Sequence, residues 1–385
     1  PPPLERIPDS TMPIIDELLQ GMLAENGSDM HMMVDEPPRI RVHGDLAPLD
    51  MPPLVDLEVE MLLKEICPPG RWEPYLESGD LDFAYEIPGV ARFRCNYLSD
   101  YRGVAAVFRV IPSRIATLEK LKMPDVLREV CNYRDGLVLV TGPTGSGKST
   151  TMAAMIDYIN RRHRRKIITV EDPIEFVHEN RKSVILHREV GQHAPDFAAA
   201  LRGAMRANPD ILLLGEMRDL ETIRLALQCA TMGILVFGTL HTNNAPKTVD
   251  RIIDAFPGDE QPQIRMMLAE CLGGVISQLL CRRADGSGRI ALHEILLRTE
   301  AMPNTIREGQ ISSLRTIIEG GGERGMVTMD DSIYHALAED LISPKSAYRM
   351  AAEKERFVPF LTEEEEEEDE DEEQQAPAQP GVARD

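Results

Sequence analysis

The sequence predicts a two-domain protein in the α/β class, with a small α+β domain preceding a larger domain built on a parallel β-sheet. Its 385 residues, of which 43% are hydrophobic, suffice for two cores. In the second half, apolar runs alternate with helical stretches, as in parallel sheets. A glycine-rich motif follows the first of these runs. Short strands separated by turns mark the first domain.

The first domain is predicted to span residues 13–112, after a flexible segment at 1–12. Apolar residues at helical spacing predict helices at 14–23 and 57–66. Residues 30–34 and 39–45 alternate in polarity on either side of Pro37 and Pro38, which predicts a β-hairpin. Three further strands are predicted at 81–87, 91–97 and 103–110.

The second domain is predicted to span residues 113–362. Buried strands of a parallel sheet are continuously apolar, and such runs occur at 136–140, 167–170, 211–214 and 234–239. Helical patterns lie at 118–131, 150–160, 195–207 and 220–232. After Gln263 we expect mostly helix.

Charge limits the choice of partners. Half of the formal net charge of −22 comes from residues 363–373, all of which are Glu or Asp. Such a block predicts a disordered tail over 363–385, or alternatively a docking arm for a basic partner. The remaining chain is still acidic, which argues against coating of nucleic acid or an anionic membrane. Six dispersed cysteines without a CxxC pair indicate reduced thiols in a cytosolic protein.

One motif predicts nucleotide binding. Between the first apolar run and its helix, the chain matches GxxxxGK[ST] at every fixed position. Glycines let backbone N–H groups turn toward phosphate, the helix offers its positive end, and the lysine and serine suit phosphate oxygens and Mg²⁺. We therefore predict ATP and Mg²⁺ as cofactors. The predicted contacts are Gly142, Pro143, Thr144, Gly145, Ser146, Gly147, Lys148, Ser149 and Thr150.

Acidic residues follow two of the other runs. Residues 171–175 read Glu-Asp-Pro-Ile-Glu, and one of these acids could orient or deprotonate water, unless they only form a surface turn. Glu216 follows the run at 211–214, as expected of a Walker B acid on Mg²⁺. Alternatively, Asp219 caps the next helix and Glu216 is solvated. His241 ends the fourth run, where it could sense phosphate or simply be hydrogen-bonded.

These motifs together resemble the secretion-superfamily ATPases, and within them the type IV pilus retraction ATPases. The matching segments are residues 142–151, 169–176, 201–210, 215–224 and 238–242, and in the first domain 27–31, 39–45 and 92–96. The missing four-cysteine zinc site, usual in the assembly ATPases, favours the retraction branch.

The resemblance implies a PAS-like first domain, a RecA-like P-loop second domain and a homo-hexamer. Glu175 would be the general base, Glu216 the acid acting on Mg²⁺ with Ser149, and His241 part of a histidine box. The arginines that would neutralise phosphate charge are Arg94, Arg109, Arg202 and Arg206. The implied partners are an inner-membrane pilus platform protein and a paralogous motor ATPase, with the protein cytoplasmic and peripheral to the inner membrane.

The chain departs from the family pattern at Ile234, where the family has its first box histidine, and at Pro303, where the retraction motif has arginine. The leading hypothesis is a motor for pilus retraction. Both departures motivate a second hypothesis, a low-activity accessory paralogue that regulates a pilus or secretion motor. A nucleic-acid translocase is a third, which the acidic balance disfavours.

Overall fold

The structure, a computed structural model, describes residues 13–42, 45–111 and 115–362. It contains two compact units. The first holds the chain up to Ile115, together with Glu171–Glu179 and His187–Pro195, and the second holds the remainder. The predicted N-terminal segment at 1–12, the boundary at 112 and 113 and the acidic tail at 363–385 lie outside the described residues.

The first unit is built on a six-stranded antiparallel sheet. Its predicted helices and strands are confirmed, and the structure adds a strand at 45–48 and a helix at 72–78. In chain order the elements are α1 (Ile14–Ala24), β1 (Asp29–Met32), β2 (Arg39–Val42), β3 (Asp45–Pro48), α2 (Asp56–Ile66), α3 (Trp72–Ser78), β4 (Asp80–Ile87), β5 (Ala91–Asp100) and β6 (Gly103–Ile111). The strand order is β3-β2-β1-β6-β5-β4.

Aromatic side chains fill the core of the first unit. Tyr97 on β5 is fully buried and makes edge-to-face contacts with Tyr75, Phe83 and Phe108. Its hydroxyl donates to the Leu63 carbonyl oxygen at 2.8 Å, so the polar end of this side chain is satisfied. Burial of each such ring contributes about 1.5–3 kcal/mol, which holds α2 against the sheet.

The second unit contains the predicted α/β sheet. Its elements are α4 (Val126–Val130), β7 (Gly136–Thr141), α5 (Lys148–Arg162), β8 (Lys166–Glu171), β9 (Val184–Glu189), α6 (Phe197–Met205), β10 (Ile211–Leu214), α7 (Leu220–Thr231), β11 (Leu235–Leu240), α8 (Ala245–Asp254), α9 (Gln261–Cys271), β12 (Leu272–Arg282), β13 (Arg289–Leu297), α10 (Met302–Arg307), α11 (Leu314–Glu319), α12 (Met329–Ala338) and α13 (Pro344–Met350).

The order of this sheet is β13-β12-β7-β11-β10-β8-β9. Strands β12, β7, β11, β10 and β8 pair in parallel, while β13 is antiparallel to β12. The four predicted strands are thus confirmed and lie side by side. Because parallel strands end at the same edge, the segments that follow β7, β11 and β10 are brought together there.

Two expectations for this unit need correction. Helices make up most of the regular structure after Gln263, as expected, but β12 and β13 form a long hairpin that was not predicted and that extends the sheet. A Cβ on Gly274 would lie 2.9 Å from the Leu296 carbonyl oxygen, so glycine permits this close pairing. The helix predicted at 118–131 is reduced to Val126–Val130, because Pro124 interrupts it and Lys122 has a positive φ of 53°.

Within residues 13–42, 45–111 and 115–362, no helix combines the length and apolar character that a bilayer span requires.

Candidate nucleotide site

The phosphate loop joins β7 to α5, as predicted. Gly142, Gly145 and Gly147 have φ values of 142°, 80° and 85°, which side chains rarely adopt. A Cβ on Gly142 would lie 2.2 Å from the Gln278 carbonyl oxygen and 2.6 Å from Ser146 Oγ. The loop therefore packs against the backbone of β12 with no room for a side chain at Gly142.

Lys148 opens α5 and is 8% exposed. Its Nζ donates to the carbonyl oxygens of Gly142 and Pro143 at 2.8 and 3.0 Å. The ammonium group is thus held at the start of the loop rather than in solvent. Ser146 Oγ is buried and has no hydrogen-bond partner among the described residues, which leaves a polar atom in the loop able to meet a ligand.

Glu216 and His241 come together at the edge of the sheet. The His241 Nε2 atom lies 3.0 Å from Glu216 Oε1, and Arg218 Nη2 donates to Glu216 Oε2 at 2.7 Å. Together with Thr242 and Arg251 they line a cleft of about 230 Å³. Asp219 caps α7 by accepting from the Thr222 N–H at 2.8 Å, so the predicted cap is present beside a partly buried Glu216.

Electrostatics keep Glu216 ionised. Burial favours the neutral acid, but the hydrogen bond and charge of Arg218, and then those of His241, outweigh it and lower the pKa of Glu216 below its ordinary 4.5. A carboxylate that is charged at neutral pH is a ligand type that Mg²⁺ prefers.

Backbone hydrogen bonds join this cluster to the phosphate loop. The Gly142 N–H donates to the Leu240 carbonyl oxygen at 3.3 Å, directly before His241. On the other side of β11, the Met217 N–H donates to the Thr239 carbonyl oxygen at 3.1 Å, and Thr239 Oγ1 donates to the Gly215 carbonyl oxygen at 2.5 Å. The loop, His241 and Glu216 are therefore fixed along one edge of three adjacent strands.

Glu175 belongs to the first unit. It follows β8 by four residues, is half-buried, and its N–H donates to Glu171 Oε2 at 3.1 Å. The neighbouring Ile174 N–H donates to Glu189 Oε2 at 3.1 Å, and Glu189 pairs with Arg92 Nη2 at 3.3 Å. The carboxylates of Glu171 and Glu189 thus hold the backbone of this segment, and the role of Glu175 stays a prediction.

The four predicted arginines fall into two pairs. Arg94 and Arg109 lie directly opposite each other on β5 and β6. Arg94 is 3.8 Å from Asp82, and Arg109 Nε donates to Asp29 at 2.6 Å. Arg202 and Arg206 lie at the end of α6, where Arg202 pairs with Glu221 and Arg206 is exposed. Their roles toward phosphate stay predictions.

Sequence reasoning missed the polar residues behind the loop. Gln278 on β12 and His293 on β13 are 1% and 3% exposed and are linked by a 3.2 Å hydrogen bond. Ser277 Oγ lies 2.9 Å from Thr141 Oγ1 at the end of β7. The available signal was a polar residue inside an otherwise apolar run, which is rare unless that residue has a buried partner.

A phosphate loop between a buried strand and a helix, with an ionised acid and a histidine at the ends of the adjacent parallel strands, defines the RecA-like P-loop ATPases.

The model of the Type II/IV secretion system protein family matches residues 9–304 of this chain. The type IV pilus retraction ATPase PilT of Pseudomonas aeruginosa is 48% identical over 89% of this chain and 99% of its own. A twitching motility protein of Neisseria gonorrhoeae is 49% identical over 83% of this chain and 85% of its own. A crystal structure of the pilus retraction motor PilT with bound ADP superposes with a TM-score of 0.83 at 39% identity, covering 90% and 99% of the two chains. The chain belongs to the Type II/IV secretion system protein family.

Proposed function

We propose that this protein is an ATP-hydrolysing motor that powers type IV pilus retraction. The observation that carries the proposal is a chain of contacts along one edge of the sheet. The phosphate loop is hydrogen-bonded to the residue before His241, and His241 contacts the ionised Glu216. Two relatives that match more than four-fifths of the chain are named for pilus retraction and twitching motility, which supports the same activity.

Each part of the site has a proposed role. The residues of the loop, 142–150, hold the triphosphate through backbone N–H groups and Lys148. Ser149 and Glu216 supply oxygen ligands that suit Mg²⁺, which when bound neutralises charge on the phosphates. His241 keeps Glu216 oriented, since Nε2 lies 3.0 Å from its carboxylate.

Glu175 and four arginines are proposed to complete the catalytic set. Glu175 acts as the base that orients and deprotonates the attacking water. The paired arginines of β5 and β6, and Arg202 with Arg206, compensate the charge that spreads over the transferring phosphoryl group. We further propose that the first unit is PAS-like, that the chain forms a homo-hexamer, and that it acts in the cytoplasm on an inner-membrane platform protein, with a paralogous motor as a further partner.

The accessory-paralogue hypothesis is the second candidate, and Ile234 favours it because the family's first box histidine is replaced there. Pro303 gives it less support. It lies in the first turn of α10, where proline is tolerated because its missing N–H would have no partner within the helix.

Steady-state ATPase turnover of the purified protein tests the proposal. We expect Lys148→Ala, Glu175→Ala and Glu216→Ala each to lower turnover by about 10²-fold or more. Glu339→Ala, an exposed acid at the end of α12, serves as the matched control and should retain turnover.

Complementation of a retraction-deficient strain separates the two candidates. A motor restores twitching by itself, whereas an accessory subunit does so only beside an active motor. Absence of turnover in the wild type would overturn the motor assignment.

A further inference from the structure

Gln278 connects the phosphate loop to the β12–β13 hairpin. Its Nε2 donates to the Ser146 carbonyl oxygen at 2.6 Å. Its Oε1 accepts from Thr151 Oγ1 at 2.7 Å and lies 3.2 Å from His293 Nε2. One buried amide therefore contacts the last turn of the loop, the first turn of α5 and the adjacent strand.

The chemistry of the partners fixes the orientation of this amide. The Ser146 carbonyl can only accept, so the amide nitrogen must face it. The oxygen then faces Thr151 and His293. Burial lowers the pKa of His293 to about 4, so its ring is neutral near pH 7 and Nε2–H donates to Oε1. The hydrogen bonds of Gln278 are thereby mutually consistent, and rotation of the amide would place its oxygen against the Ser146 carbonyl oxygen and break that bond.

This arrangement determines where one backbone donor points. In a planar trans peptide the carbonyl and the following N–H point in opposite directions. Because Gln278 holds the Ser146 carbonyl toward β12, the Gly147 N–H is directed away from β12. A Cβ on Gly147 would lie 2.9 Å from Gln278 Nε2, so glycine is needed for this close approach. The amide also holds Thr151, and with it the N-terminal end of α5.

We propose that Gln278 is a positioning residue for nucleotide binding, with His293 holding its amide in place. It acts through the Gly147 N–H and the start of α5 and does not itself touch nucleotide. The inference rests on the proposed binding of nucleotide at the loop. It also gives the hairpin, which sequence reasoning missed, a role in the site.

Titration of a fluorescent ADP analogue in the presence of Mg²⁺ tests the inference. Gln278→Leu has a similar shape but releases the Ser146 carbonyl. The Gly147 N–H would then no longer be held toward the charged phosphate, and a hydrogen bond to a charged group is worth about 1.5–3 kcal/mol. The affinity of Gln278→Leu for the analogue should therefore fall about tenfold to a hundredfold.

The matched control is Ser183→Ala. Ser183 is 1% exposed, and its Oγ donates to the His163 carbonyl oxygen at 2.7 Å and accepts from the Arg165 N–H at 3.2 Å. The Ser183→Ala variant loses buried hydrogen bonds away from the loop, so it should bind the analogue with the affinity of the wild type.

Gln278→Glu gives a readout that a general packing defect would not produce. Burial raises the pKa of the introduced carboxyl group, and only its protonated form can donate to the Ser146 carbonyl. The ratio of variant to wild-type affinity should therefore rise as pH falls from about 8 to about 5.5. This arm also remains informative if Gln278→Leu fails to fold.

Two results overturn the inference alone: wild-type affinity in Gln278→Leu, or an affinity ratio for Gln278→Glu that does not change with pH. In both cases the proposed function still stands if the wild-type protein binds the analogue and Lys148→Ala abolishes that binding. If the wild type itself does not bind the analogue, the proposed function is overturned and the inference with it.

Discussion

Substitution of Gly142 by alanine should disable the nucleotide site while leaving the fold intact. The new Cβ would lie 2.2 Å from the Gln278 carbonyl oxygen, and such a contact must open to at least 3.0 Å. The obstructing atom belongs to the backbone of β12, so no side-chain rotation relieves the clash. The loop itself must therefore move by most of an ångström, against a backbone φ of 142° that disfavours alanine.

The expected cost follows from that displacement. A misplacement of about 1 Å at a reacting group lowers activity by about 10²-fold, and the forced backbone conformation costs about 1–3 kcal/mol of stability. We therefore expect Gly142→Ala to lose about 10²-fold in ATPase turnover and in affinity for the ADP analogue. Thermal unfolding should show a lower midpoint but a cooperative transition.

Gly21→Ala is the matched control. Gly21 lies within α1, and an added Cβ would meet nothing within 4 Å. Alanine should there stabilise the protein by about 0.5–1 kcal/mol and leave nucleotide affinity unchanged. Wild-type turnover in Gly142→Ala would refute the argument that backbone contact with β12 fixes the loop.

Three further outcomes are expected. Burial lowers the pKa of His293 to about 4 in the folded protein, whereas the pKa of an unfolded histidine is about 6.5. Between these pH values the unfolded state binds more protons, so the free energy of unfolding falls as pH drops from about 6.5 to about 4. Urea unfolding should show this pH dependence reduced by about 3 kcal/mol in His293→Gln. Arg92→Met leaves Glu189, whose side chain is 2% exposed, without its ion-pair partner, so it should lower the free energy of unfolding by about 3 kcal/mol. The ion pair of Arg94 with Asp82 is exposed, so Arg94→Met should lower the free energy of unfolding by less than about 1 kcal/mol. Because the pKa of Glu216 is lowered in the folded protein, its ion pairs stabilise the fold above pH 4.5, and this stabilisation is lost as pH falls through the folded pKa. Glu216→Gln should therefore have a lower free energy of unfolding in urea than the wild type at about pH 7, but the same value in acid.

Several features of the site were predictable because their signals are local. The phosphate loop needs glycines at fixed positions for backbone reasons, and Gly142, Gly145 and Gly147 take the conformations that this need predicts. Buried parallel strands are continuously apolar, so β7, β8, β10 and β11 were found. The positions of Glu216 and His241 followed from the rule that parallel strands end at one edge.

The hairpin of β12 and β13 could not be identified in the same way. Its first strand is an apolar run that a buried helix could equally contain, and its pairing with β7 joins residues far apart in the chain. The roles of Gln278 and His293 depend on that pairing, so their polar side chains gave no indication of a link to the loop.

The sequence by itself determined that a phosphate loop exists, that four buried strands accompany it, and that Glu216 and His241 follow two of those strands, because these properties depend on residues close together in the chain. Only the tertiary structure decided that Glu216 meets His241 and Arg218, and that a buried amide on β12 supports the loop. Those contacts depend on strand order and on distances of about 3 Å between atoms, which arise only when distant segments pack together.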